Sequence, residues 1–425
     1  YQAKIAGKHR YNLFDSHHDK VVTQKQLIQD QVKKALYADE LTLFYQPKIN
    51  MASGEVLGVE ALLRWQHPEK GLIPPLNFLP QISNTELEVE VGEWVIQQAL
   101  RQLHEWSTQG IEMEISVNIA SHHLQQPSFV SRLAYALDEY PELNPGQLQL
   151  EVLESSVLAD LNKIRETIDA CQNKLGVSVA LDDFGTGYSS LTHLRSFSAD
   201  TVKIDKSFIQ DMLDDPNDYV IVDGVIGLAG SFSRKVIAEG VESRQHGLML
   251  LAMGCELAQG FGIARPMPAK EFQTWLKRYR PEQSWLDYAA RTRSLADNKS
   301  TLLNLTFKHW HARFLARLNA NQDSVLDWPI MDTSRCHCGV WIEAGQKEQL
   351  FKASALSELS LAHDAYHANA NELFALCQQK EFERARQGLA NLNQAYERML
   401  SAIVACQAEA LNPDKVVAGY SRGYL

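Results

Sequence analysis

Short apolar runs recur along this chain, and one after another they end in an acid, an amide or a lysine. LGVEALLRW, EISVNIA, LQLEVLES, VSVALDDFG, TVKIDKSF, KVIAEGVE and LAQGFGIA carry Glu60, Asn118, Glu151, Asp182 with Asp183, Lys203, Glu239 and Gln259 at those polar ends. Helix-like stretches separate the runs. Strands that alternate with helices bring their C-terminal ends to one rim of a closed barrel. Such a rim gathers at least five carboxylates in one cavity. Carboxylates that close repel unless cations lie among them. The pattern therefore predicts divalent metals and a metal-assisted reaction.

Residues 1–20 are polar and basic, while 21–38 place Leu27, Val32 and Leu36 at helical spacing. LTLFYQPKIN and VLGVEALLRW flank the turn MASGE, which predicts an antiparallel hairpin. Regular alternation follows. EVGEWVIQQALRQLHEWSTQG is a helix closed by Gly110, and NKIRETIDACQNKLG is one stopped by Gly176. The expected fold over residues 21–280 is a TIM-like (β/α)8 barrel of the α/β class whose first strand runs antiparallel. After about residue 285, Gly, Val and Ile become scarce. Leu303, Phe307, Trp310, Phe314 and Leu318 form one helical stripe, and Ala385, Leu389, Leu392, Tyr396, Met399 and Ile403 another. That predicts a linker over 281–298, an all-α four-helix bundle over 299–410 and a tail over 411–425.

The formal charge of −11 argues against a sequence-independent binder of nucleic-acid polymers, which needs a cationic surface. An anionic substrate stays compatible, because bound metals reverse the charge locally. The six cysteines are scattered, which fits a reducing, cytoplasmic compartment. No segment has the length and apolarity of a membrane span; YVIVDGVIGLAGSF is short and carries Asp223. A start at Tyr1 rather than Met is expected of a fragment, and leaves room for an upstream sensory or membrane-tethering part.

Glu60, Asn118, Glu151, Asp182 and Asp183 offer only oxygen donors, which suits Mg²⁺ or Mn²⁺. Two such ions clamp a phosphoryl group during in-line displacement. Lys203 would steady charge developing on phosphate oxygens. Taken singly, each acid is as well read as a solvated loop residue or a helix cap; their joint placement is not. His67, His104, His122, His123, His193 and His246 show no paired metal spacing and read as surface or packing residues. His363 and His367 lie four apart on one helix face. With Cys336, and with His311 from an earlier helix, they form a set able to bind Zn²⁺. The competing reading is two hydrogen-bonded core histidines and an unrelated cysteine.

These motifs resemble a known family. EALLRW at 60–65 is similar to the signature of EAL-domain cyclic di-GMP phosphodiesterases. The same order continues through YQP at 45–47, SVNIA at 116–120, ExxE at 151–154 and DDFGTGYSSL at 182–191, then KID at 203–205, AEGVE at 238–242, QG at 259–260 and PMP at 266–268. The resemblance implies hydrolysis of cyclic di-GMP to linear pGpG with two Mg²⁺ or Mn²⁺ ions. It implies Glu60, Asn118, Glu151, Asp182, Asp183 and Glu239 around the metals. Glu60, Asp183, Lys203 and Glu239 take the catalytic roles, with Glu239 and Lys203 at the attacking water. Gln46, Arg64, Asp205 and Gln259 lie near the nucleotide, and Glu154 anchors a loop in which Gly185–Tyr188 link nucleotide occupancy to dimer packing. Two departures stand out: FLPQISNTEL at 78–87 has Ser83 where Glu is common, and Ile263 stands where an aromatic residue or Leu is frequent.

RCHCGVWI, with His311 to Phe314 and His363 to His367, resembles the CZB (chemoreceptor zinc-binding) family over about 300–410. That implies one Zn²⁺ on His311, Cys336, His363 and His367, with His309 and Cys338 as alternative ligands. The first fifteen residues resemble the end of a GGDEF domain. The expected function is a zinc-regulated, homodimeric phosphodiesterase. The alternatives are a cyclic di-GMP receptor that does not cleave and a zinc-stabilised scaffold.

Overall fold

The computed structural model describes residues 16–154, 161–186, 197–320, 327–348 and 351–409. Residues 1–15, read from sequence as the end of a GGDEF domain, together with Gly187, Tyr188, His193 and the tail over 411–425, lie outside these. Ten strands are present among the described residues: β1 Leu41–Asn50, β2 Val56–His67, β3 Gly71–Ile73, β4 Glu114–Asn118, β5 Leu148–Leu153, β6 Ser178–Phe184, β7 Thr201–Ile204, β8 Lys235–Ala238, β9 Leu257–Ala258 and β10 Met267–Pro268. β1 pairs antiparallel with β2 on one side and β9 on the other. From β2 through β4, β5, β6, β7 and β8 to β9 every pairing is parallel. Eight strands thus close into a barrel whose first member is antiparallel, the architecture expected from the sequence.

Helices of six residues or more cover the outside: α1 Ser16–Tyr37, α2 Glu86–Thr108, α3 Phe129–Asp138, α4 Leu161–Ala170, α5 Lys206–Asp211, α6 Pro216–Ser231, α7 Arg244–Met253, α8 Ala269–Arg278 and α9 Gln283–Ala289. Pleat alternation sorts the strand residues. Leu148, Leu150, Val152, Val202 and Ile204 are fully buried in the apolar clusters beneath the helices. The alternate residues are polar: Gln149, Glu151, Thr201 and Lys203 are also buried. The barrel therefore has an apolar outside under its helices and a polar inside. On the N-terminal side of the strands, Lys48 donates to Glu114 at 2.6 Å and Gln149 at 3.2 Å.

The C-terminal region folds as four longer helices, α10 Leu295–Asn319, α11 His337–Glu348, α12 Ala353–Gln378 and α14 Leu389–Ala408, with the short α13 Phe382–Gln387 between the last two. Leu303, Phe307, Phe314 and Leu318 of the first stripe are buried. The second stripe is not one helix. It breaks at Gly388, where a side chain would meet Leu373 Cδ2 at 2.4 Å, so Ala385 sits on α13 and the rest on α14. Residues 281–298 are also folded: Trp285 and Tyr288 of α9 join the cluster holding Met249 and Leu250 of α7 and Leu302 of α10.

Candidate active site

Lys203 is the hub of the barrel mouth. Its Nζ lies 2.7 Å from Glu151, 3.0 Å from Asp182, 2.6 Å from Glu239 and 3.8 Å from Glu60, and the side chain is 1% exposed. Strand register explains the meeting. Asn118 at the end of β4 aligns with Glu151 on β5, and Leu153 on β5 with Asp182 on β6. Asn118 donates to Glu60 Oε1 at 2.8 Å, and Gln259 Nε2 donates to Glu60 Oε2 at 2.6 Å. Gln46, opposite Glu60 across the hairpin, accepts from Gln259 at 3.1 Å and donates to the Ala264 carbonyl at 3.0 Å.

Adjacent side chains in a regular strand point to opposite faces, yet Asp182 and Asp183 both serve this mouth. β6 slips register against β7 between Leu181 and Phe184, and Asp183 adopts the left-handed conformation with φ 53°. A bulge with one left-handed residue re-aims a side chain, and aspartate tolerates that region better than most residues. The result groups ligand oxygens of Asp182, Asp183 and Glu239 within 4.8 Å of one another. Beyond the bulge, Gly185 has φ 102° and donates its N–H to Glu154 at 3.1 Å. Asp205 caps α5 through Ser207 N–H at 3.0 Å. Arg64, two pleats from Glu60, is half-buried with its guanidinium 5.7 Å from the Phe44 ring centre.

Five carboxylates here face one buried ammonium. Burial, reinforced by the Glu60 and Asp182 carboxylates, pushes Glu151 and Glu239 up to about 8 against the pull of Lys203. Burial and Asp182 push Asp183 up to about 6. For Glu60, burial is overcome by Lys203 and the two amides, which hold it below the usual range. Lys203 is raised despite burial by the acids around it. Glu151 Oε1 is buried with no hydrogen-bond partner. The mouth is thus short of positive charge and holds an orphaned oxygen, so its residues fit hard divalent cations.

A second cluster lies in the bundle. Donor atoms of Cys336, His363 and His367 fall within 4.8 Å of one another, all buried. Cys336 Sγ is 3.1 Å from His363 Nε2, and the two imidazole centres are 4.6 Å apart. His367 donates Nδ1–H to the Met331 carbonyl at 3.1 Å, which leaves Nε2 as a lone-pair donor. Burial pushes His363 down to about 3 and the Cys336 thiol up to about 11, so the set is a neutral imidazole beside a protonated thiol. These residues fit a soft-to-borderline cation. His311 is outside that grouping: its Nδ1 lies 2.7 Å from the Tyr366 hydroxyl, and its ring stacks on Tyr396. His309 faces Asp214 at 2.6 Å instead, and Cys338 is buried outside the grouping.

Sequence reasoning passed over Lys48 and its partners Glu114 and Gln149, although a lysine inside the apolar run FYQPKI was a visible signal. It also passed over the contacts of His309, Arg313 and His337 with the barrel.

The EAL domain family model matches residues 29–266, more than half of the chain. The chain is 39% identical over 276 residues to the bifunctional diguanylate cyclase/cyclic di-GMP phosphodiesterase MucR of Pseudomonas aeruginosa, covering 64% of this chain and 39% of that one. It is 38% identical over 280 residues to the cyclic di-GMP phosphodiesterase PdeR of Escherichia coli, covering 66% and 42%. The alignments span about two fifths of these relatives' own length. Among solved structures, the PaMucR phosphodiesterase in complex with c-di-GMP superposes with a TM-score of 0.55 at 38% identity, over 58% of this chain and 99% of that one. With the closed barrel, its antiparallel first strand and the acid-ringed mouth in place, the match leaves one assignment: the chain belongs to the EAL domain family.

Proposed function

We propose that this chain is a metal-dependent phosphodiesterase that hydrolyses cyclic di-GMP to pGpG. The observation that carries the reading is the convergence of Glu151, Asp182 and Glu239 on Lys203, with Asp183 brought alongside by the β6 bulge. Glu60, Asn118, Glu151, Asp182, Asp183 and Glu239 are the residues that would hold Mg²⁺ or Mn²⁺. Bound there, two such ions supply a Lewis acid for the phosphoryl oxygen and a water acidified towards neutrality. Lys203 keeps the carboxylates within reach of one another and offers charge to phosphate oxygens. Glu239, paired with Lys203 at 2.6 Å, would with it position or activate the attacking water. Arg64 would pair with phosphate and Asp205 with a base or sugar donor of the nucleotide. Gln259 and Asn118 hold Glu60 in its rotamer, and Gln46 holds Gln259.

In the same reading the bundle binds Zn²⁺ through Cys336, His363 and His367. A fourth bond from His311 would have to come from Nε2, since Tyr366 engages Nδ1. Zinc then regulates the barrel within a homodimer, with a GGDEF domain upstream. The deciding experiment is steady-state conversion of cyclic di-GMP to pGpG with Mn²⁺, for the native chain and Glu60→Ala. Turnover that the substitution abolishes supports the enzyme. Tight binding of intact nucleotide with no turnover would assign the chain to receptors instead.

A further inference from the structure

Besides the apolar seam at α9, the bundle meets the barrel at a polar corner, the Met212–Asp215 turn between α5 and α6. His337 donates Nε2–H to the Met212 carbonyl at 2.9 Å, and its ring meets Tyr219 edge-on at 6.1 Å. Asp214 Oδ1 accepts from His309 at 2.6 Å and Arg313 at 2.5 Å, both on α10. His337 is the residue after Cys336. At the other end of the six-residue α5, its N-cap Asp205 directly follows β7, two residues after Lys203, and the Phe208 ring of α5 lies against Gly185, where a Cβ would meet it at 3.1 Å. Ile209 and Met212 are fully buried, which fixes α5 in the barrel wall. The chain of contacts from Cys336 to Lys203 and Gly185 therefore crosses one turn and one short helix.

We infer that α5 is the strut through which the Cys336–His363–His367 cluster and the acidic mouth sense each other, with His337 and Asp214 as its joint. The inference rests on the zinc reading given above. A cation held by Cys336 and His363 replaces the contact between them, and any shift of Cys336 carries the adjacent His337 with it. The Met212 end of α5 follows, and its N-terminal end shifts against Lys203 and the Gly185 backbone. Coupling of this kind is reciprocal by thermodynamic necessity.

Hydrogen exchange read by mass spectrometry on the full chain, with zinc and with a chelator, tests it. Zinc is expected to change exchange across residues 206–219 by about fivefold or more, while Asp214→Asn and His337→Phe keep zinc stoichiometry and lose that change. His337→Phe touches the neighbour of a ligand; Asp214→Asn is isosteric and remote from the cluster, so the pair guards against a folding defect. Stoichiometric zinc with unaltered exchange at 206–219, or an equal change in both variants, overturns the strut and leaves the zinc reading standing. No bound zinc, or zinc retained in full by Cys336→Ala, overturns the zinc reading and the strut together.

Discussion

Lys203 holds together acids that otherwise repel. Removing one partner of a buried ion pair costs about 3–5 kcal/mol, because the remaining charge is left uncompensated. Lys203→Met is expected to lower the unfolding free energy in chelator by about that amount, and millimolar Mg²⁺ should return part of it. Urea titrations with and without Mg²⁺ read both effects, and a midpoint equal to the native one would contradict them. His123 behaves differently. It is 2% exposed, and burial pushes it down to about 4. The folded form thus takes up this proton less readily than the unfolded form. Its contribution is complete above about pH 6.5 and is lost as pH falls towards 4, at about 1.4 kcal/mol per pH unit. His123→Phe should flatten the acid limb of stability in that window. Lys203 was legible because it closes a short apolar run beside other acidic endings. Lys48 was visible as a lysine inside an apolar run, but its place was not, since period-two alternation shows which side chains face the barrel interior and not which lie at its floor.

At the scale of the element, the β6 bulge lets two consecutive aspartates share one cavity. Asp183→Asn keeps a residue at ease in the left-handed region, so stability should hold within about 0.5 kcal/mol. The lost charge should raise the Mg²⁺ concentration needed for half-maximal turnover by about tenfold. Asp183→Val adds the backbone penalty of about 1–2 kcal/mol. Thermal unfolding together with Mg²⁺ titration separates the two; equal melting temperatures for both variants would argue that the bulge is unstrained. The strands and the hairpin were readable from alternation and the Ser53–Gly54 turn. The bulge was not, because a slip of register leaves the sequence pattern of β6 unchanged. Nor was the break between α13 and α14. It falls at Gly388, which packs against Leu373, a residue 15 positions away that no helical periodicity encodes.

The whole molecule depends on a short helix that composition alone assigned to a linker. Seven residues are too few to display a helical stripe, yet α9 places Trp285 against the barrel. Its indole N–H donates to the Arg244 carbonyl at 3.0 Å, and the ring lies over Gly247, where a Cβ would stand only 2.3 Å away. The same apolar cluster takes in Leu302 from the first half of α10. Barrel and bundle thus share one piece of core, and each loses packing if the other unfolds. Calorimetry of the native chain is expected to give one cooperative transition. Trp285→Ala removes about 3–5 kcal/mol of packing at the seam and should split that transition in two. With Mg²⁺ in excess, a zinc-selective chelator should then lower only the transition of the bundle, since Cys336, His363 and His367 lie wholly within it. A single transition at the native midpoint in Trp285→Ala would mean that the Asp214 and His337 contacts alone hold the two bodies as one.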